Sequence, residues 1–273
     1  MQRYIFVIQP IAIIIKIFFP AMKNNVYLCK LKNRQNTYME IAIIGYGKMG
    51  KEIAEIAEER GHDVSVIIDS SDDWMEKIDE LRDCDIAIDF STPDAVVDNI
   101  FKCFNINIPI VVGTTGWHDQ LENVVHDCLQ REQSLFVASN FSIGVNIMFD
   151  INRKLAKIMN SHPEYDASIS ETHHVHKLDA PSGTAISLAN DIVEELEHKN
   201  EWVLGEADSA TELPIVAHRE GEVPGIHEVK YDSMVDTITI GHSAKSRKGF
   251  ALGAVVAAEY LLGKKGYYTM ADM

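Results

Sequence analysis

The chain has 273 residues, enough to bury a full core and to form two domains. Its formal net charge of −16 opposes binding to a polyanion and excludes nucleic acid as a partner. Four cysteines (Cys29, Cys84, Cys103, Cys128) form no CxxC pair and no disulfide framework, so they read as free thiols of a cytoplasmic protein.

Residues 1–38 differ from everything after them: they hold Arg3, Lys16, Lys23, Lys30, Lys32 and Arg34 and no acidic residue. Tyr4–Phe19 is strongly apolar, but Pro10 and Lys16 interrupt it, and it is short of the roughly 20 residues that a membrane span needs. No small-residue cleavage site follows it cleanly. The run Met39-Glu-Ile-Ala-Ile-Ile-Gly then begins a buried strand at once. The expectation is that 1–38 is an N-terminal extension outside the fold, that Met39 is the natural start, and that no membrane is involved. The intact N-terminal mass of the native protein checks this, and a dominant species beginning at Met1 would sink it.

From Met39 to Phe141, strands and helices alternate. Apolar runs at Ile41–Ile44, Val64–Ile68, Asp85–Phe90, Ile110–Val112 and Leu135–Ala138 predict strands. Met49–Arg60, Asp94–Phe104 and His118–Gln130 have helical periodicity between them. Strands alternating with helices imply a Rossmann-type parallel sheet covered on both faces. After Phe141 the rhythm changes. The pattern predicts a long helix at Val145–Met159, a strand at Ala167–Glu171, a helix at Ala185–Glu197 and β-rich runs at Pro214–His218, Ile226–Tyr231 and Asp236–Ser243. A last Ala- and Gly-rich helix spans Gly249–Leu262. The fold class is therefore α/β: a Rossmann domain (39–141) plus an α+β substrate and oligomerisation domain (142–247) with an open mixed sheet.

Gly45-Tyr46-Gly47-Lys48-Met49-Gly50 is a GxGxxG that follows a strand and opens a helix. Asp69 stands 19 residues beyond Gly50, at the end of the second strand. That is the context a dinucleotide site requires. Gly45 makes the tight turn, Gly47 lets the backbone approach a pyrophosphate, and Gly50 permits close helix–strand packing. Asp69 suits the adenosine ribose hydroxyls and repels a 2′-phosphate. The residues after it, Ser70-Ser-Asp-Asp73, offer no cation, which predicts preference for NADH with NADPH possible. Two further loops follow strands at the same carboxyl edge: Gly113-Thr114-Thr115-Gly116 and Ala138-Ser139-Asn140-Phe141. Both suit the nicotinamide half. Ser91 and Thr92, after the third strand, either cap the next helix or contact the ligand.

The run Glu171-Thr-His173-His174-Val-His176-Lys177-Leu-Asp-Ala-Pro-Ser182-Gly183-Thr184-Ala185 carries the chemistry. Three histidines and a lysine fall within five residues, just upstream of a helix N-terminus. Such an end offers unpaired N–H groups and suits an anion. The run reads as a site that binds a carboxylate or phosphate and moves protons beside it. A metal is not expected, because Lys177 would sit against it and the accompanying ligand spacing is missing.

These residues resemble the 4-hydroxy-tetrahydrodipicolinate reductase (dihydrodipicolinate reductase) family over essentially all of 39–273. The resemblance rests on Gly45–Gly50, Asp89-Phe-Ser, Val112-Gly-Thr-Thr-Gly116, Ser139–Asn146 and above all Glu171–Ala185, with Arg219-Glu-Gly221 and His242–Arg247 downstream. It implies a two-domain homotetramer that reduces a cyclic imino dicarboxylate of lysine biosynthesis with NADH or NADPH. It implies His173 as acid/base, Lys177 as proton donor, and His174, Ser182, Gly183 and Thr184 as the substrate grip. It also implies that the last helix, with 248–273, returns to the nucleotide domain. The role of His176 stays open. Lys177, Arg219, Lys245 and Arg247 are candidates for a locally positive pocket, the last two equally candidates for surface or interface charges. Two other functions remain to compare: another NAD-dependent reductase of small imino or oxo acids, and a non-catalytic NAD-sensing regulator.

Overall fold

The computed structural model describes residues 38–273, so the extension read at 1–38 lies outside the described residues except for Tyr38. From Met39 the chain runs β1 (Glu40–Ile44), α1 (Lys48–Glu59), β2 (Asp63–Ile68), α2 (Ser71–Glu76), α3 (Ile78–Arg82), β3 (Ile86–Asp89), α4 (Pro93–Asn105) and β4 (Ile110–Val112). A 3-10 turn at His118–Gln120 leads into α5 (Leu121–Gln130), β5 (Ser134–Val137) and the long α6 (Ile143–Met159). There follow β6 (Asp166–His173), α7 (Gly183–Glu195), β7 (Glu201–Leu204), β8 (Glu212–Arg219), β9 (Ile226–Asp232) and β10 (Thr237–Ser243). The chain closes with α8 (Lys248–Leu261), β11 (Gly266–Tyr268) and a 3-10 turn at Met270–Asp272.

Six strands form one parallel sheet in the order β11-β5-β4-β3-β1-β2. Its central strands are continuous apolar runs because helices cover both faces, and β3, β4 and β5 are buried at every position. One face packs on α4 and α5, through Val96, Ile100, Phe104 and Val124. The other packs on α1 and α8 through Ile53, Ala57, Ala254 and Ala258. The small residues of α8 serve close approach: a Cβ on Gly253 would stand 1.7 Å from the carbonyl oxygen of Phe141.

The second sheet is mixed, in the order β10-β9-β6-β8-β7, with β9 antiparallel to both neighbours and β6, β8 and β7 parallel. Helices α6 and α7 cover one face, where Met148, Met159, Leu188 and Ile192 meet Ala167, Ile169, Ile215 and Val229. Strict alternation fixes which side chains face those helices. On β6 they are Ala167, Ile169, Glu171 and His173. On β9 they are His227, Val229 and Tyr231.

Several elements differ from the sequence expectations. The sequence pattern predicts no element between Ile68 and Asp85, where helices α2 and α3 stand. Ser70 accepts a bond from the Asp73 amide while Asp73 accepts from the Ser70 amide, a capping box that starts a helix too short to show periodicity. Strand β6 continues past Glu171, so His173 ends a strand instead of standing in a loop. Helix α7 begins at Gly183, not Ala185, with the Ser182 hydroxyl capping the Ala185 amide. The strands β7 and β11 have short sequences without alternation and were not predicted.

Candidate active site

At the carboxyl edge of the first sheet, the β1–α1 turn is built around close backbone contact. Gly45 has φ +86°, and a Cβ there would lie 2.5 Å from the Phe90 carbonyl oxygen. A Cβ on Gly50 would lie 2.1 Å from the Gly45 oxygen. At Gly47 a Cβ would meet nothing within 4 Å, and no side chain caps α1. The first N–H groups of α1, from Lys48 and the half-buried Met49 onward, therefore face open space that fits a pyrophosphate. The Tyr46 amide donates to Asp69 Oδ1 at 2.7 Å, which fixes the carboxylate beside the turn. Gly45, Asp69, Trp74 and Ser91 line a hollow of about 320 Å³ there.

Two details add to the sequence reading of this edge. Lys102 of α4 lines the same hollow as Asp69. Lys102 is paired with Asp98 at 2.7 Å and lies 4.8 Å over the Trp74 ring. The second concerns the side chains of Thr114 and Phe141. Thr114 is buried and donates to Asp89 at 2.7 Å, and the Phe141 ring packs between Phe90 and Phe136. Their side chains hold the edge together and leave only backbone for a ligand. Asp89 is the hub: fully buried, it also accepts from the Ser91 amide and hydroxyl and from Asn99. Burial pushes its pKa up against the pull of those bonds. Ser91 is thereby bound to Asp89, and Thr92 sits at the N-cap of α4 without a side-chain capping bond.

A cleft of about 660 Å³ joins the two sheets. Thr115, Gly116, Ser139 and Asn140 enter it from the first. His173, His174, Lys177, Ser182, Gly183 and Thr184 enter it from the second, together with His227 and His242. Asn140 Nδ2 and Thr184 Oγ1 approach to 3.2 Å across it. The register of the second sheet explains the cluster: Glu171 stands opposite His227, and His173 beside Arg219. All four side chains project to the helix-covered face.

Glu171 is fully buried and organises this face. Both its oxygens accept from the Ser182 amide at 3.1 Å, and Arg219 approaches Oε1 at 3.4 Å. His173 Nδ1 lies 3.5 Å and His227 Nε2 3.6 Å from Oε2. His227 Nε2 also lies 3.1 Å from the Ser182 hydroxyl. Burial alone would raise the Glu171 pKa; bonds from His227 and Ser182 outweigh it and bring it to about 2. The His173 pKa is lowered to about 4, first by burial, against the opposing pull of Glu171. With that pKa His173 is a neutral imidazole at pH 7. Burial and His227 lower the His242 pKa as well.

Both shifts make the fold acid-labile, and the signs agree. His173 has a folded pKa of about 4 against an ordinary 6.5, so the stability it contributes is full above pH 6.5 and lost as pH falls towards 4. Glu171 contributes fully above its ordinary 4.5 and loses that as pH falls towards 2. The Tm should therefore fall between pH 6.5 and 4, and His173→Gln should flatten that limb. Calorimetry on both proteins checks it, and an equally steep limb in the variant would count against the assignment.

Glu171, His173 and His227 bring three potential metal-ligating atoms within 4.8 Å of one another. Arg219 and the Ser182 amide already engage that carboxylate, and a guanidinium beside it opposes a divalent cation. Arg219 is itself turned from the cleft, donating to the carbonyls of Lys177 and Asp179. His176 stands outside, with its side chain 75 % exposed and 3.6 Å from Glu222. Lys245 lines a small adjoining hollow with His242, and Arg247 is exposed at the start of α8. Glu171, His227 and Asp89 are the residues that sequence reasoning missed as parts of the site. For His227 the signal was present: His-Glu-Val-Lys-Tyr alternates, placing a histidine on the apolar face of a strand.

The comparisons with known proteins follow this geometry. The N-terminal part of the dihydrodipicolinate reductase family matches residues 39–141, and its C-terminal part matches residues 144–273. A 4-hydroxy-tetrahydrodipicolinate reductase of Christiangramia forsetii is 50% identical over 237 residues, 86% of this chain and 97% of the relative. One of Thermosipho africanus is 35% identical, also over 86% of this chain and 97% of the relative. Among solved structures, a dipicolinate-bound dihydrodipicolinate reductase from a Paenisporosarcina species shares the fold with a TM-score of 0.68 at 23% identity. That match covers 85% of this chain and 97% of the other.

Proposed function

We infer the working of the site from one premise: the chain belongs to the dihydrodipicolinate reductase family. It is an oxidoreductase that reduces 4-hydroxy-tetrahydrodipicolinate to tetrahydrodipicolinate in lysine biosynthesis, with a nicotinamide dinucleotide bound at the Rossmann-type half. The bound nicotinamide supplies the hydride. One observation carries the assignment of residues: His173, His174, Lys177 and the first turn of α7 share a cleft with Thr115, Gly116, Ser139 and Asn140. Donor and acceptor sites thus face one another, and the Asn140–Thr184 contact marks where the two halves close.

In this reading the α7 turn, with the Gly183 and Thr184 amides, holds one substrate carboxylate. The Ser182 hydroxyl is engaged by His227 and by the Ala185 amide, so Ser182 acts chiefly by shaping that turn. His174, half-buried with an unpaired Nδ1, adds a polar contact. The 4-hydroxyl leaves as water with one hydrogen of the adjacent ring carbon, which gives a conjugated imine. Hydride addition to that imine develops negative charge towards the ring nitrogen, which Lys177 faces together with the other carboxylate, and Lys177 delivers the proton. His173 supplies or relays a proton once the dianion has raised its pKa. The acid–base pair is therefore an ammonium and an imidazole whose charge depends on the ligand.

For the cofactor, we propose preference for NADH. Asp69 presents its second oxygen to the ribose hydroxyls and repels a 2′-phosphate. Lys102 offers little relief because Asp98 pairs with it. Steady-state assays with enzymatically generated substrate should give a higher kcat/KM with NADH. Asp69→Ser should raise kcat/KM for NADPH by roughly tenfold while lowering that for NADH. Equal use of both nucleotides by the wild type would overturn the preference.

The assembly we propose is a homotetramer. The face of the second sheet opposite α6 and α7 supports it, since Val216 is exposed there beside half-buried Ser170 and Thr172. A monomer mass by light scattering would remove it. A cytoplasmic setting is supported by the unpaired, buried Cys84, Cys103 and Cys128, and fractionation of native cells tests it. Among the described residues no helix is long and apolar enough to cross a membrane.

A further inference from the structure

Lys177 does not stand open in the cleft. Its Nζ donates to both carboxylate oxygens of Asp179 at 2.8 Å, and both residues line the cleft. The backbone beneath them is fixed: Arg219 donates to the carbonyls of Lys177 and Asp179, and the Lys177 amide donates to the His174 carbonyl. The side-chain ends are less constrained. The Asp179 side chain is 60 % exposed, and Lys177 is its charged partner. Asp179 therefore presents to Lys177 the same two-oxygen anion that a substrate carboxylate would present, in the same cleft.

We propose that Asp179 is a built-in competitor for Lys177, a latch that a dicarboxylate must displace and a monocarboxylate leaves shut. The inference rests on the reading of Lys177 as a substrate contact. A ring with one carboxylate is held by the α7 turn alone. A ring with two reaches Lys177 as well, and must break the Lys177–Asp179 pair to do so. The pair is partly exposed, so displacing it weakens binding only several-fold. Asp179 thus sets selectivity: it lowers affinity for anions that take Lys177 and leaves the others alone. The Lys177 bond, ahead of burial, holds the Asp179 pKa below the ordinary carboxylate range, in keeping with an ionised partner.

Calorimetric titration of the full chain with dipicolinate, and with pyridine-2-carboxylate as the one-carboxylate control, tests this without turnover. Asp179→Asn should tighten dipicolinate about three- to tenfold, change pyridine-2-carboxylate less than twofold, and lose its effect at high salt. Asp179→Glu, which keeps the charge, should bind as the wild type does. In a Lys177→Met background, Asp179→Asn should have no further effect. Weaker or unchanged dipicolinate binding by Asp179→Asn, with Lys177→Met still weakened, overturns the latch and leaves the Lys177 reading standing. Wild-type dipicolinate binding by Lys177→Met removes the Lys177 reading and the latch together. Thermal melts of each variant verify folding, which the exposure of Asp179 favours.

Discussion

Lys177→Met is expected to lower kcat/KM by about two to three orders of magnitude. The reason is that the cleft has few other cations to offer. Arg219 is bound to Glu171 and to two carbonyls, Arg247 is exposed at the start of α8, and Lys245 lines an adjoining hollow. His173 is neutral because burial lowers its pKa to about 4. A dianion entering an acidic protein of charge −16 then depends on Lys177 and on the amides of α7. Lys177→Arg separates charge from proton delivery. A guanidinium restores attraction but does not release a proton, so KM should recover while kcat stays low. A loss of less than tenfold in Lys177→Met would remove Lys177 from the chemistry.

His173→Gln should lower kcat by about a hundredfold and move KM only a few-fold. His173 ends β6 with its ring against Gly225, where a Cβ would come within 3.1 Å of Nε2, and 5.0 Å between centroids from the His227 ring. Its Nδ1 is buried and unpaired at hydrogen-bond distance. Glutamine keeps a polar side chain of similar reach but cannot cycle a proton. The limb on which kcat falls as pH rises through the pKa of the ligand-bound imidazole should disappear with it, since His173 acts there as the acid. Steady-state kinetics from pH 5 to 9 check both statements, and turnover near the wild-type rate would exclude His173 as acid or base.

How much of this was legible in the chain can be followed residue by residue. The β1–α1 turn was readable because three glycines at a fixed spacing are demanded by local geometry: at Gly45 and Gly50 the neighbouring backbone leaves no room for a Cβ. The histidine–lysine run was readable because it is contiguous. The side-chain directions of Thr114 and Phe141 were not legible, because a loop position says where the backbone goes, not which way a side chain turns. Phe141 turns into the core beside Phe136, and Thr114 onto Asp89. Lys102 in the hollow of Asp69 was not legible for a related reason: it lies 33 residues further along, and packing of α4 on the sheet brings it there.

The sequence by itself determined the parallel α/β half, the position of the nucleotide turn and the stretch that carries the acid–base groups. Each is a local pattern: apolar period, glycine spacing, or neighbouring residues in one turn. The tertiary structure alone decided which groups those residues act with. Register between β6, β8 and β9 sets Glu171 between Arg219 and His227, and the fold closes separations of 48 and 56 residues to do so. Packing then decides protonation: bonds from His227 and Ser182 hold Glu171 ionised against its burial, and burial holds His173 neutral. Neither follows from local pattern, because strand pairing and desolvation depend on the whole packed unit and not on the residues that flank each site.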